Sequence, residues 1–110
     1  MDGVLVERLE DKSNTVNLNG LLVDKNARVV YLGNEPLDLS PIEYDLLLYL
    51  VENKNTACSR DSILNKVWGY DYYGNERTVD THINRLRIKL KNKSGIIKTV
   101  RGFGYRLEIN

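Results

Sequence analysis

Basic residues that could bind an anionic partner are concentrated in the last third of this 110-residue chain. Residues 77–110 contain nine Lys or Arg and two acids, whereas residues 1–76 contain seven and thirteen. A chain with a formal net charge of +1 is therefore divided into an acidic part near −6 and a basic part near +7. This separation indicates a surface for an anion, although charge alone fits nucleic acid, a lipid surface or an acidic protein equally well.

The segment RTVDTHINRLRIKL (77–90) has the period of an amphipathic helix, which is expected to run from about 77 to 91. At about 100° per residue, its apolar side chains fall within roughly 60° of each other and form one stripe: Val79, Ile83, Leu86 and Leu90. The opposite side carries Thr81, Asn84, Arg85, Ile88 and Lys89, and the flanks carry His82 and Arg87. No acid follows Asp80 in this helix, so its outer face favours an anionic partner. Arginine and asparagine also pair with the edges of guanine and adenine, respectively.

The segment TVRGFGYRL (99–107) predicts a hairpin that extends over about 96–109. Its first strand is β-branched, and Gly102 and Gly104 permit positive φ on either side of Phe103. The tip also carries Arg101. An arginine on a thin, glycine-flanked loop has a shape that suits the narrow minor groove of DNA, whose negative potential attracts guanidinium.

The rest of the chain predicts elements that would position the basic helix and the basic hairpin. Short apolar groups separated by Asn-Gly, Lys-Asn and Gly-Asn between Thr15 and Leu39 indicate up to four short antiparallel strands. Ser40, Pro41 and Glu43 form the signature of a capping box at the start of a helix that runs to about Glu52. This helix is expected to bury Ile42, Leu46, Leu47, Leu50 and Val51.

A second, shorter helix is expected to begin at Ser59 and to end at Gly69. Its buried residues are predicted to be Ile63, Leu64, Val67 and Trp68. The segment GYDYYGN (69–75) that follows predicts a loop rich in tyrosine. Its rings either pack back on the domain or form an exposed aromatic and acidic surface for a protein partner.

Catalytic chemistry finds little support in the residue types. One His, one Cys and no carboxylates clustered beside them supply no nucleophile, base and orienting group, so the chain is not expected to be an enzyme, and no metal or cofactor is expected. Cys58 is interpreted as a small buried apolar residue, with a redox thiol at a helix start as the alternative. The sequence lacks a run of 18 apolar residues and a secretory signal, so a cytosolic protein is expected.

Four ordered segments, LSPIEYDLLLYL, SRDSILNKVWG, RTVDTHINRLRIKL and TVRGFGYRL, resemble the DNA-binding effector domain of OmpR/PhoB-type response regulators. The resemblance covers roughly residues 15–109. It implies an α+β winged helix-turn-helix fold: an N-terminal four-stranded antiparallel sheet, three helices and a C-terminal β-hairpin wing. A domain is expected over residues 15–110. Residues 1–14 are polar and lack a clear period, so they are interpreted as a linker remnant or the edge of an excised domain.

The resemblance further implies roles for individual residues in binding double-stranded DNA. Contacts to the DNA backbone are expected from Trp68, Arg77, His82, Arg87, Thr99 and Tyr105. Bases in the major groove are expected to be read by Thr78, Thr81, Asn84 and Arg85, and Arg101 is expected to enter the minor groove. Ile88 is expected either to contact a thymine methyl group or to pack against a loop.

The implied partners extend beyond DNA. In this family the loop between the second and third helices contacts RNA polymerase, which would give Tyr70, Asp71, Tyr72 and Tyr73 a role. The resemblance also implies bacterial two-component transcription control, with a receiver domain in the intact protein and a sensor kinase upstream. It implies a monomeric isolated domain, and head-to-tail pairs of the intact protein on direct repeats. The alternative is a winged-helix module that contacts proteins alone, since the fold does not require DNA binding.

Overall fold

The structure is a computed structural model that describes residues 14–109. The chain separates into two compact units, with the boundary between Leu37 and Asp38. The predicted linker remnant, 1–14, lies outside the described residues except for its last position. Within residues 14–109, no helix is both long and apolar enough to cross a membrane.

The first unit contains a four-stranded antiparallel sheet in the order β1-β2-β3-β4. Its strands are β1 (Thr15–Asn17), β2 (Leu21–Asp24), β3 (Val29–Leu32) and β4 (Glu35–Pro36). Asp24 stabilises the turn after β2, since its carboxylate accepts hydrogen bonds from the backbone N–H groups of Asn26 and Ala27, each at 3.1 Å. The predicted set of four short strands is confirmed.

The second unit begins with helix α1 (Pro41–Glu52). Both halves of the predicted capping box are present: the Glu43 backbone N–H donates to Ser40 Oγ at 3.2 Å, and the Ser40 N–H donates to Glu43 Oε1 at 2.8 Å. These bonds satisfy two amide hydrogens that the first helical turn leaves without partners. The buried face is close to the prediction, with Ile42 only half-buried and with the following side chains buried: Glu43, Tyr44, Leu46, Leu47, Leu50 and Val51.

Helix α2 (Arg60–Ile63) follows the two-residue strand β5 (Cys58–Ser59) and continues as a π-helical turn (Leu64–Trp68). Ser59 caps it, because its hydroxyl accepts from the Ser62 backbone N–H at 3.0 Å. Ile63 and Leu64 are buried as predicted, whereas Val67 and Trp68 are only half-buried. The π-helical turn was not predicted, since widening a helix by one residue per turn alters the spacing on which the periodicity argument depends.

Helix α3 (Arg77–Leu90) lies within the predicted range of 77–91. Its predicted apolar stripe is confirmed, since Val79, Ile83, Leu86 and Leu90 have no solvent exposure. A short 3₁₀ segment (Lys91–Ile96) then leads to the hairpin strands β6 (Ile97–Val100) and β7 (Gly104–Leu107). This hairpin is the predicted wing.

The wing belongs to a three-stranded sheet in the order β5-β7-β6, in which all neighbours are antiparallel. Gly102 has φ of +74°, so it forms the turn at the tip as predicted. Gly104 serves a different purpose: a Cβ on it would lie 2.0 Å from the Cys58 carbonyl oxygen. Glycine at this position therefore allows β7 to approach β5.

Candidate nucleic-acid interface

The face of α3 opposite the buried stripe is exposed and carries most of the predicted base-reading residues. Thr81, Asn84 and Arg85 are exposed, and Thr78 is half-buried near the start of the helix. The Thr81 hydroxyl donates to the Arg77 carbonyl oxygen at 3.1 Å, so its lone pairs and methyl group remain for a ligand. The face therefore presents an amide, a guanidinium and a hydroxyl side chain within two helical turns.

Lys89 contributes less to this face than its position in the sequence indicated. Its ammonium lies 2.6 Å from Oε1 of Glu43, a buried carboxylate on α1. Burial raises the pKa of Glu43, but hydrogen bonds from Lys89 and Ser40 and the Lys89 charge outweigh it, so the pKa lies below its ordinary value. Lys89 thus links α3 to α1.

Trp68, His82 and Thr78 lie together where α2 ends and α3 begins. The imidazole of His82 lies edge-on to the Trp68 indole, with ring centroids 5.1 Å apart. Nδ1 of His82 is 2.8 Å from the Thr78 carbonyl oxygen, so in the hydrogen-bonded tautomer Nδ1 donates and Nε2 points elsewhere. Trp68 and His82, both predicted to contact the DNA backbone, are therefore neighbours, although they are 14 residues apart in the sequence.

Arg87 connects α3 to the wing. Its guanidinium donates to the Ile97 carbonyl oxygen at 2.8 Å and to the Thr99 hydroxyl oxygen at 2.9 Å. Thr99 accepts this bond and keeps its own hydroxyl hydrogen for another partner. Arg87 and Thr99, both predicted to contact DNA backbone, thus lie side by side and form a bond between α3 and β6.

A second connection joins α3, β7 and the start of α2 through Asp80. The Asp80 carboxylate oxygen Oδ1 accepts from the Tyr105 hydroxyl at 2.5 Å and from Nε of Arg60 at 2.8 Å. Partial burial raises the pKa of Asp80, but the hydrogen bonds from Tyr105 and Arg60 and the Arg60 charge lower it below its ordinary value. The guanidinium carbons of Arg60 and Arg87 are each 5.5 Å from the centroid of the Tyr105 ring.

Sequence reasoning did not assign a role to Arg60 or Asp80. The one available signal was the position of Asp80 as the lone acid in an otherwise basic helix. Its partners lie 20 and 25 residues away, so no local pattern could identify them. The same contacts bear on Tyr105, whose hydroxyl hydrogen is directed at Asp80 and whose ring is buried.

The wing tip is exposed at Arg101 and at Phe103, which retains 47% of its accessible surface. Lys98 is also exposed on β6. The hairpin thus presents positive charge at its end and along one strand. Arg87 and Asp80 hold its base against α3.

The tyrosine-rich loop between α2 and α3 is largely exposed. Tyr73 has full exposure and Tyr70 has 75%, so these rings do not pack back on the domain. Tyr72 is 40% exposed and contacts the Trp68 ring, with centroids 6.4 Å apart. Asp71 is exposed between them.

Cys58 lies in β5 and is buried. Its thiol is 3.6 Å from the Thr56 carbonyl oxygen. Burial raises the pKa of this thiol and outweighs the hydrogen bond from Tyr49, which lowers it. These conditions favour the neutral thiol over a reactive thiolate.

Residues 34–107 match the family described as "Transcriptional regulatory protein, C terminal". The chain belongs to this family. It is a winged-helix effector domain of the OmpR/PhoB type, and such transcription-factor domains are not enzymes, as the residue types led us to expect.

Bacterial relatives support this membership. Response regulator ArlR of Staphylococcus saprophyticus is 44% identical over 100 residues, which cover 89% of this chain and 46% of ArlR. The transcriptional regulatory protein YclJ of Bacillus subtilis is 48% identical over 88 residues, which cover 78% of this chain and 39% of YclJ. The chain therefore spans less than half the length of these relatives.

Solved effector domains have the same fold. The DNA-binding domain of Klebsiella pneumoniae RstA, solved in complex with the RstA box, has a TM-score of 0.77 and 36% identity, covering 86% of this chain and 96% of that one. The DNA-binding domain of Bacillus subtilis CssR has a TM-score of 0.71 and 43% identity, covering 79% of this chain and 98% of that one. The predicted winged helix-turn-helix fold is thereby confirmed.

Proposed function

We propose that this domain binds specific sequences of double-stranded DNA and controls transcription as the output domain of a two-component response regulator. The observation that carries the proposal is the juxtaposition of an exposed Thr81, Asn84 and Arg85 face with a basic wing, joined through Arg87. An α-helix fits the major groove, and an arginine-tipped hairpin fits the adjacent minor groove. The similarity to RstA, solved in complex with its DNA box, supports the same use of the fold.

Within this proposal, polar groups beside α3 would fix the register of the domain on the phosphates. Arg77 is exposed at the start of α3, and Trp68 and His82 lie together beside it. Thr99 would donate its remaining hydroxyl hydrogen to a phosphate oxygen. Tyr105 would support the wing through Asp80 rather than donate to phosphate, since its hydroxyl hydrogen is already engaged.

Base reading is assigned to the exposed side chains of α3. Arg85 suits a bidentate contact to guanine O6 and N7, and Asn84 suits adenine N6 and N7. Thr78 and Thr81 lie toward the start of the helix, where their hydroxyl or methyl groups would contact neighbouring bases. Arg101 would enter the minor groove.

Arg85→Ala tests base reading. We expect it to weaken binding to the duplex recovered by random-sequence selection by about 1 to 3 kcal/mol and to weaken binding to random duplex much less. Lys54→Ala, which removes an exposed charge outside α3 and the wing, is the control. Equal weakening on selected and random duplexes would show that Arg85 contacts phosphate only.

The exposed loop between α2 and α3 is proposed to contact RNA polymerase through Tyr70, Asp71, Tyr72 and Tyr73. Exposed tyrosines are effective interface residues because they bury a large area with few rotatable bonds. Tyr73→Ala in a full-length regulator that carries this domain is expected to lower activated transcription in vitro without changing DNA affinity. Tyr31→Ala, in the other compact unit, is the matched control. Unchanged transcription with Tyr73→Ala would contradict this assignment.

The whole protein is proposed to contain a receiver domain that accepts phosphate from a sensor kinase, as the response-regulator relatives suggest. Residues 15–110 would form its DNA-binding domain, joined by a linker that includes 1–14. The isolated domain would be a monomer, and the intact protein would pair head to tail on direct repeats. A cytoplasmic location follows, because bacterial chromosomal DNA lies there.

A further inference from the structure

Within residues 14–109, Ile88 is the one large aliphatic side chain that is exposed to solvent. It lies on α3 and retains 76% of its accessible surface. The apolar stripe of the same helix is fully buried, so Ile88 does not belong to the core face. Nor does it pack against a loop, which was the alternative expectation.

The helical projection places Ile88 between the two proposed base readers. At about 100° per residue, Asn84 lies roughly 40° to one side of Ile88 and Arg85 roughly 60° to the other. Thr81, seven residues earlier, lies within roughly 20° of Ile88. If Asn84 and Arg85 face base edges, Ile88 must also face into the groove, about one helical turn further along α3.

The surroundings of Ile88 favour a partner that is mostly polar and offers a single apolar group to this side chain. Arg85 and Asn84 are exposed beside it, and the neighbouring charge of Lys89 is held 2.6 Å from Glu43 on α1. A protein partner that docks through apolar contact needs a contiguous apolar patch, and one branched side chain does not provide it. The major groove offers the matching chemistry, because each thymine presents one methyl group among hydrogen-bonding atoms.

We propose that Ile88 is a specificity-determining residue that recognises the 5-methyl group of a thymine in the major groove. The inference rests on the proposed function and extends it, since it adds an apolar reader to the hydrogen-bonding readers Asn84 and Arg85. Ile88 would favour thymine over a base without this methyl group, because the contact removes both the methyl group and the Ile88 side chain from water.

Single replacement of thymine by deoxyuridine tests this inference, because it removes the methyl group and leaves the hydrogen-bonding pattern intact. The duplex is the one that the wild-type 110-residue chain selects from random sequence, and each thymine is replaced in turn. We expect one or two positions at which the replacement weakens wild-type binding by about fourfold, as burial of one methyl group implies. For Ile88→Ala, the thymine and deoxyuridine duplexes should bind equally at those positions.

Phe103→Ala is the matched control, since it also truncates an exposed apolar side chain but lies at the wing tip. The thymine methyl lies in the major groove, so this variant should retain the fourfold preference. Two results would overturn the inference: no thymine position sensitive to deoxyuridine, or the same sensitivity in Ile88→Ala as in the wild type. Failure of the wild-type chain to prefer any sequence would instead overturn the proposed function, and the inference with it.

Discussion

At the scale of single residues, the polar side chains of α3 fall into two groups. Asn84 and Arg85 are exposed, whereas Asp80 and Arg87 are bonded to other elements of the domain. Asp80 and Arg87 each bond to a strand of the wing and hold it against α3 before any ligand binds. Such preorganisation lowers the ordering cost of association, so these bonds within the domain can influence its affinity for DNA.

Asp80→Asn is expected to destabilise the domain by about 1 kcal/mol. Replacing a buried carboxylate that accepts two hydrogen bonds would lower the free energy of unfolding by more than this. The Asp80 side chain is 36% exposed, so solvent screens part of the effect. The measurement is the free energy of unfolding from denaturant titration at neutral pH. Asp71→Asn, on the exposed loop, is the control and should be neutral.

The same variant should change the acid limb of the stability curve. The pKa of folded Asp80 is lowered, so its stabilising contribution is complete above about pH 4 and is lost as pH falls through the lower folded value. The wild-type and Asp80→Asn free energies of unfolding should therefore converge in that acidic window. A constant difference between them down to the lowest pH would contradict the role assigned to the ionised carboxylate.

At the scale of elements, α3 and the wing act as one binding unit. β7 is held by β5 through the close approach at Gly104, and β6 is held by Arg87. A hairpin fixed at its base leaves only its tip to adapt to a ligand. Packing within the second unit thus sets the position of the strands of the wing relative to α3, and Arg101 lies at the adaptable tip.

Arg101→Ala is expected to weaken binding mainly where the sequence beside the half-site is rich in A·T pairs. Narrow A·T-rich minor grooves have a stronger negative potential, so they gain more from an inserted guanidinium. Affinities for duplexes with A·T-rich and G·C-rich flanks measure the effect. Lys98→Ala, which removes an exposed wing charge from the strand, should weaken both duplexes to a similar extent. Equal loss on the two flanks for Arg101→Ala would exclude the minor-groove assignment.

At the scale of the whole molecule, the chain covers less than half of its response-regulator relatives. One winged-helix domain offers one recognition helix and therefore a short half-site. Tight binding would require two copies to act together, as the proposed head-to-tail pairing on direct repeats provides. The gain comes from effective concentration rather than from new contacts within either copy.

Two copies of the chain joined by a flexible linker should bind a direct repeat of the selected half-site at least 100-fold more tightly than one copy does, at the low end of the usual range of about 10² to 10⁴. The half-sites should be spaced by about one helical turn, roughly 10 bp. An inverted repeat of the same half-sites and spacing is the control. Equal affinity for both arrangements would contradict a head-to-tail preference.

Much of the fold followed from local pattern. Three predictions were confirmed: the capping box of α1, the apolar stripe of α3 and the short strands separated by turn residues before Leu37. Each depends on residues close together in the sequence. The base-reading assignments to Asn84 and Arg85 depend on the same helical period. They stay predictions, because helix geometry establishes exposure and not contact.

The sequence by itself determined the charge separation, the type of each main element and the outer face of α3, because composition and helical period are local properties. Only the tertiary structure decided that Asp80 bonds Tyr105 and Arg60, that Lys89 is held by Glu43, and that Gly104 is needed for strand approach. These contacts join residues from 20 to 46 positions apart. Their partners are set by how helices and strands pack, which no short window of sequence specifies.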